Sequence, residues 1–175
     1  MARPKSGYYI DDERVPGVTT IISRFKESGA LIHWAWKLGM EKKDYREVRD
    51  SAANVGTISH AMIEAWIKQR NFYVAGLDAE ITSDQIAKAT VSFEAFRAWA
   101  GGMQFRMVDS EVSLLSTKHR FGGTMDVILS NNALSVCDWK TGNALYSDSL
   151  YQIASYKGLW EENHPDQPIT GGLHL

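Results

Sequence analysis

The stretch SVCDWKTG, residues 135–142, sets an acid, Asp138, and a base, Lys140, two positions apart in an otherwise apolar run. In a β-strand alternate residues share a face, so Val136, Asp138 and Lys140 point to one side and Ser135, Cys137 and Trp139 to the other. A second carboxylate, Asp126, stands twelve residues earlier in TMDVIL. If the two runs form a hairpin, a three-residue loop Asn131-Asn132-Ala133 makes Asp126 and Asp138 direct partners about 5 Å apart. Asparagine tolerates the left-handed backbone that such loops need. Two carboxylates this close resist joint ionisation unless a cation neutralises them, which is the wiring of a metal site. All-oxygen ligands favour Mg²⁺ or Mn²⁺, ions that keep several waters and bridge to phosphate oxygens. Lys140 on the same face could orient or deprotonate a water, or stabilise charge developing on a phosphorane. The chemistry that results is phosphodiester hydrolysis. The alternative for an isolated D-x-K is a solvent-facing cross-strand ion pair.

Other residues add to this group. Glu111, at the start of EVSLLS, supplies a third carboxylate that could reach the same metal, or else a surface acid. Gly56 and His60 in VGTISH stand one helical turn apart, where bare backbone would let a phosphate approach beside an imidazole; the alternative for His60 is a hydrogen bond within its helix, with Glu64 as neighbour. Gln152 and Tyr156 in YQIASY share one helix face, beside the packing residues Ile153, Leu159 and Trp160. Lys118, His119 and Arg120 occupy a turn between strands, and Lys42, Lys43, Arg46 and Arg49 precede Gly56. Either basic group could flank a nucleic-acid backbone, although charged turns are commonly just solvated.

The elements that must position these residues follow from periodicity. GYYIDDERVPGVTT predicts a short hairpin turning at Asp11-Asp12, broken by Pro16-Gly17 before Thr19 or Thr20 caps a helix. ALIHWAWKLGMEK predicts a second helix, with Gly39 tolerated or ending it, and core packing is expected for Trp34 and Trp36 unless they stack on single-stranded DNA. From Asp44 to about Arg70 the pattern is helical with an interruption near Gly56 and an apolar stripe of Met62, Ile63, Trp66 and Ile67. TSDQIAKATVSFEAFRAWAGG predicts a helix capped by Ser83 or Asp84, with its apolar face on Ile86, Ala89, Phe93, Phe96 and Ala100 and a stop at Gly101-Gly102. The period then changes to that of strands in FRMVDSEVSLLS, GGTMDVILS and ALSVCDWKT. SDSLYQIASYKGLWEEN returns to helix and PITGGLHL to strand. The order indicates an α/β or α+β layer fold.

Composition bounds the rest. The 175 residues are 44% hydrophobic and 23% charged, with six Trp and seven Tyr, which describes one globular domain over residues 1–175 rather than a disordered chain. The single cysteine, Cys137, excludes an internal disulfide framework, a four-Cys zinc site and a four-Cys iron–sulfur cluster, and its apolar setting makes it inert. The N-terminus lacks the apolar segment of a secretory signal and no membrane-length apolar run occurs, so a soluble cytoplasmic protein without membrane contact is expected. A formal net charge of −2 gives no global basic field, so a nucleic-acid partner must be held locally or through metal. The sequence ends inside its last apolar run, and a C-terminal extension is expected to be missing.

Taken in order, G-x-x-x-H at Gly56 to His60, G-x-x-D at Gly123 to Asp126, D-x-K at Asp138 to Lys140 and Q-x-x-x-Y at Gln152 to Tyr156 resemble the RecB-like branch of the PD-(D/E)XK nuclease superfamily. Phage and bacterial exonucleases and the mitochondrial genome maintenance exonuclease belong to that group, and DWKTG followed by YQIASYKGLW is similar to them. The resemblance covers about residues 16 to 175. It implies a restriction-endonuclease-like core, a central mixed β-sheet flanked by helices. Asp126 and Asp138 would be metal ligands, Lys140 the catalytic lysine, His60 an additional ligand or positioning residue and Glu111 an auxiliary carboxylate. Gly56, Gln152, Tyr156, Lys118 and Arg120 would contact substrate, with Tyr156 stacking on a base and Gln152 holding a phosphate or the lysine. The implied activity is Mg²⁺- or Mn²⁺-dependent DNA exonuclease action on single strands or free ends, in phage or bacterial recombination, repair or replication, with a helicase or recombination protein as partner. A structure-specific or restriction-like endonuclease and a catalytically retired DNA-binding or scaffold module are the alternatives. The third motif carries Asp where many relatives have Glu, and the cysteines that hold an iron–sulfur cluster in some relatives are absent.

Overall fold

The computed structural model describes residues 7–26, 28–74, 77, 80–142 and 144–174. Two compact units form, one from the chain up to Lys26 together with Gln104 onward, the other from the stretch between them.

The first unit opens with a hairpin of β1 (Tyr8–Ile10) and β2 (Glu13–Val15). Its two turn residues, Asp11 and Asp12, both have positive φ, 52° and 63°, as a two-residue turn that matches strand twist requires. Tyr8, Ile10 and Val15 bury together against Leu115. The next helix, α1 (Val18–Arg24), is capped by Gly17, so Thr19 and Thr20, the expected caps, lie inside it. The reason is tertiary: the Gly122 amide donates to Pro16 O at 3.0 Å and Gly17 bridges to Gly122, so the chain is already committed at that point.

A four-stranded mixed sheet runs in the order β3 (Arg106–Ser116), β4 (Phe121–Ser130), β5 (Leu134–Cys137) and β6 (Ile169–His174). The first three strands are antiparallel neighbours, and β6 lies parallel to β5. Parallel pairing needs a long crossover, which α5 (Ser147–Asn163) supplies. Its inward residues Ile153, Tyr156, Leu159 and Trp160 form one core with Val18, Met125, Ile128, Val136 and Ile169. Burying each large apolar side chain stabilises the unit by about 1.5–3 kcal/mol. This is the mixed sheet with flanking helices of a restriction-endonuclease-like core. β5 is shorter than its sequence pattern suggested: the ladder ends at Cys137, and Asp138 and Lys140 lie in the irregular segment just beyond.

The far end of α5 is tied to β6 through Glu161, which takes an ion pair from Lys157 and a hydrogen bond from the Ile169 amide at 3.1 Å. The Lys157 hydrogen bond, then the Ile169 amide, hold the Glu161 carboxyl below its ordinary value of 4.5, against the opposing cost of burial. A lowered folded value means that this stabilisation is full above the unfolded carboxyl range and is lost as pH falls through the folded value. Glu161→Gln is therefore expected to lower stability at neutral pH and to flatten its loss on acidification below about pH 5, measured as urea midpoints against pH.

The second unit contains α2 (Gly29–Met40), α3 (Tyr45–Ile67) and α4 (Ser83–Gly101). α3 passes through Gly56 without the expected interruption. Burial of Ile58, Ile63 and Ala65 on α3 and of Ala89, Phe96 and Ala100 on α4 outweighs the roughly 1 kcal/mol that one helical glycine costs. Trp66, expected in the buried stripe, is instead 42% exposed and meets Phe96 edge-on at 5.4 Å. The cap of α4 is Thr82, one residue before the expected pair, because Thr82 and Gln85 complete a reciprocal capping box. α2 tolerates Gly39 and buries no residue, so Trp36 stays exposed rather than packing in a core, while Trp34 meets Tyr45 edge-on at 6.5 Å. Among the described residues, no helix is long and apolar enough to cross a membrane.

Candidate active site

The β4–β5 connection is the three-residue loop Asn131-Asn132-Ala133, with Asn132 at φ 60°. The register pairs Val127 with Cys137 and Ile128 with Val136, and the ladder ends one residue short of Asp126 and Asp138. On the other side of β4, Ser110 pairs with Val127 and Val112 with Met125, so Glu111 stands level with Asp126. Glu111 and Asp126 thus occupy neighbouring positions on β3 and β4, and Asp138 follows the end of β5. Glu111 is mid-strand rather than at a strand start, with a positive φ of 53°.

Past Cys137 the backbone leaves the sheet in two steps. The Asp138 amide still donates to His174 O of β6 at 3.0 Å, but the Trp139 amide turns to the side chain of Asp126, reaching Oδ2 at 2.7 Å. This bond fixes the Asp126 carboxylate against the segment that carries Asp138 and Lys140. Asp138 is only 3% exposed and forms an ion pair with Lys140.

Gln152, on the first turns of α5, ties these groups together. Its Oε1 accepts from Lys140 Nζ at 2.9 Å, and its Nε2 donates to Asp138 Oδ1 at 3.2 Å and to the Tyr156 hydroxyl at 2.8 Å. The amide can sit only this way round, because a flip would set N–H against an ammonium and oxygen against a carboxylate. Gln152 therefore holds the lysine, one of the two roles that the resemblance implies. Tyr156 does not offer a face to a base: its ring is 4% exposed, in the core under α5, and only its hydroxyl reaches the site. Gly123 makes this placement possible, since a Cβ there would lie 2.9 Å from Tyr156 Cε1 and 2.7 Å from Leu159 Cδ1.

The electrostatics report two carboxylates acting on one place. Burial, then the charges of Asp126 and Asp138, push the Cys137 thiol up to about 12, so this buried cysteine remains an unreactive thiol at neutral pH. Burial likewise pushes the Tyr156 phenol upward; the Gln152 hydrogen bond opposes the shift, and Asp138 and Asp126 add to it. One lysine beside two carboxylates leaves negative potential, and hard oxygen donors of this kind suit a small divalent cation. Among the described residues no three His, Cys, Asp or Glu side chains gather around one point. Asp126 and Asp138 are the residues here that could hold such an ion.

The remaining candidates lie on other elements. His60 and Gly56 lie on α3 in the second unit. Lys118 and Arg120 lie in the β3–β4 turn, where the Lys118 amide is held by Glu162 Oε1 at 3.2 Å and the Arg120 guanidinium pairs with Glu13 at 2.6 Å. Arg120 is thus engaged in pinning the β1–β2 hairpin to this turn. Two contributors were not legible beforehand. The Trp139 amide is a backbone group and leaves no side-chain signature. The packing role of Gly123 is set by α5, which is remote in sequence.

Replacing Gln152 with leucine, similar in size, removes all three hydrogen bonds at once. Cleavage by Gln152→Leu is expected to fall by about 10²-fold, with kcat affected more than KM, because the lysine loses its positioning acceptor. Steady-state kinetics on linear DNA checks this.

No curated protein matches the chain. The profile of one family matches residues 8–173, nearly the whole chain, and the chain belongs to that family, the PD-(D/E)XK nuclease superfamily.

Proposed function

We propose that the chain is a divalent-metal-dependent DNA exonuclease of the RecB-like kind, hydrolysing phosphodiester bonds at free ends or in single strands during phage or bacterial recombination, repair or replication. The observation that carries the reading is the network in which Gln152 holds Lys140 and Asp138 while the Trp139 amide holds Asp126. The order of the four motifs supports the RecB-like branch. Nucleases of this superfamily generally use divalent metal ions.

Asp126 and Asp138 would hold Mg²⁺ or Mn²⁺, with Glu111 at the neighbouring register position and His60 as the auxiliary residue that the resemblance implies. When bound, such an ion polarises the scissile phosphate and acidifies a water. The chain's own residues do the rest. Lys140 is 27% exposed at its side chain, so its ammonium has an aqueous side from which to meet a phosphate oxygen or the attacking water. Gln152 keeps that ammonium from collapsing wholly onto Asp138, and Tyr156 fixes Gln152 from below. Lys118 offers a local positive charge to the backbone of the strand. With little global attraction for DNA, recruitment by a helicase or recombination partner in the cytoplasm fits the net charge of −2.

End-labelled linear DNA and covalently closed circles, single- and double-stranded, separate the activities. Loss of the linear molecules alone in Mg²⁺ is the expected result. Nicked or linearised circles would make the enzyme an endonuclease, and survival of every substrate would contradict both.

A further inference from the structure

Along α2, Ile32, Trp36 and Met40 follow one another at intervals of four, which places them in one row on the helix surface. They are 64%, 60% and 69% exposed, and Leu31, 56% exposed, borders the row. α2 buries none of its residues, although it carries two tryptophans and a single formal charge, Lys37. A contiguous apolar row left in solvent marks an interaction surface rather than ordinary scatter.

We infer that this row joins two copies of the chain, with α2 lying antiparallel to the partner's α2 across a two-fold axis at Trp36. A two-fold interface must complement itself, and the spacing of the row does so. Ile32 and Met40 each stand four residues from Trp36, so Ile32 meets the partner's Met40, and Met40 meets the partner's Ile32. Rows at intervals of four are also the ridges by which helices commonly interdigitate. Charge agrees with this pairing: Lys37 falls opposite the partner's Ala35 and Glu41 opposite the partner's Leu31, so no like charges meet. Area agrees as well. Covering Leu31, Ile32, Trp36 and Met40 removes on the order of 500 Å² per copy, about 1,000 Å² together, the size at which a specific but weak interface forms. Other occupants need chemistry that α2 lacks. A nucleic-acid backbone calls for several cations and a lipid surface for a basic polar face, whereas α2 has Lys37 alone.

Sedimentation velocity of the full chain from about 1 to 100 µM is expected to show a dimer that dissociates on dilution, with a Kd of about micromolar order. Ile32→Glu and Met40→Lys, both at exposed positions, should each raise that Kd by about thirtyfold or more, because the interface would then bury an unpaired charge. The two substitutions in one chain should return it to within about threefold of the parent value, since each new carboxylate then faces a new ammonium of the partner. Val91→Glu, at an exposed apolar residue of α4, should leave the dimer unchanged. Circular dichroism verifies that each variant is folded. A chain that stays monomeric throughout overturns the inference, as does a dimer indifferent to both single substitutions or one that the double substitution fails to restore. A monomer that binds anionic vesicles or an oligonucleotide, and loses that binding in Ile32→Glu, would give the row to another occupant and overturns it too.

Discussion

Lys140→Ala is expected to lower DNA cleavage by about a thousandfold or more while the chain stays folded. Lys140 is an exposed residue whose polar partners are Asp138, through an ion pair, and Gln152, through a hydrogen bond. Asp138 keeps the Gln152 N–H in the variant, so its buried carboxylate is not stranded. What disappears is the ammonium paired with Asp138. Lys140→Arg restores charge but not shape, because a planar fork cannot replace a point donor between a carboxylate and an amide oxygen, and it should rescue little. Single-turnover cleavage of linear DNA, with circular dichroism and thermal melting alongside, reads both parts. An unfolded Lys140→Ala protein would instead assign the residue a structural role.

Gly123→Ala should destabilise the core through a single added methyl. The new Cβ would stand 2.7 Å from Leu159 Cδ1, 2.9 Å from Tyr156 Cε1 and 3.1 Å from Val18 Cγ2. Leu159, Tyr156 and Val18 are all buried, so none can swing into solvent and α5 must lift from β4. Overpacking of this kind costs about 1–3 kcal/mol. For a chain of this size that is a fall in Tm of about 2–4 °C per kcal/mol. Activity should fall further than stability, because lifting α5 carries Gln152 and the Tyr156 hydroxyl away from Asp138 and Lys140. Gly158→Ala on the same helix meets nothing within 4 Å and should be neutral or slightly stabilising, through helix propensity alone. Urea unfolding of the two variants beside the parent protein distinguishes local crowding from a general intolerance of α5 to change.

These two glycines illustrate what the sequence can and cannot convey. The β4–β5 register, with Val127 opposite Cys137 across the loop Asn131-Asn132-Ala133, was readable because it depends only on local quantities, a loop of three residues and a period of two. The β1–β2 turn at Asp11-Asp12 was readable for the same reason. The end of β5 was not, since alternation continues through Asp138 and Lys140 while the chain has already been drawn aside by the Trp139 amide bonding to Asp126. The Q-x-x-x-Y spacing correctly set Gln152 and Tyr156 on one face of α5. Spacing does not say which way that face looks, and burial turned Tyr156 from a stacking surface into a support. The break expected at Gly56 and the caps expected at Thr19 or Thr20 and at Ser83 or Asp84 failed where packing or a reciprocal hydrogen bond overrode propensity. Gly122 and Gly123, ordinary in a strand pattern, are each required by a side chain from a distant element: Tyr8 over the first, Tyr156 and Leu159 over the second.

The central claim is that the acid pair and lysine beyond β5 form a metal-dependent phosphodiester-cleaving centre. Its most direct test is cleavage of end-labelled linear DNA across a Mn²⁺ or Mg²⁺ titration, run beside calorimetric binding of the same ion, for the parent protein, Asp126→Ala and Asp138→Ala. Cleavage that follows ion binding in the parent, with both lost in each variant, is the predicted result; cleavage that continues in EDTA, or that survives in either aspartate variant, would contradict it.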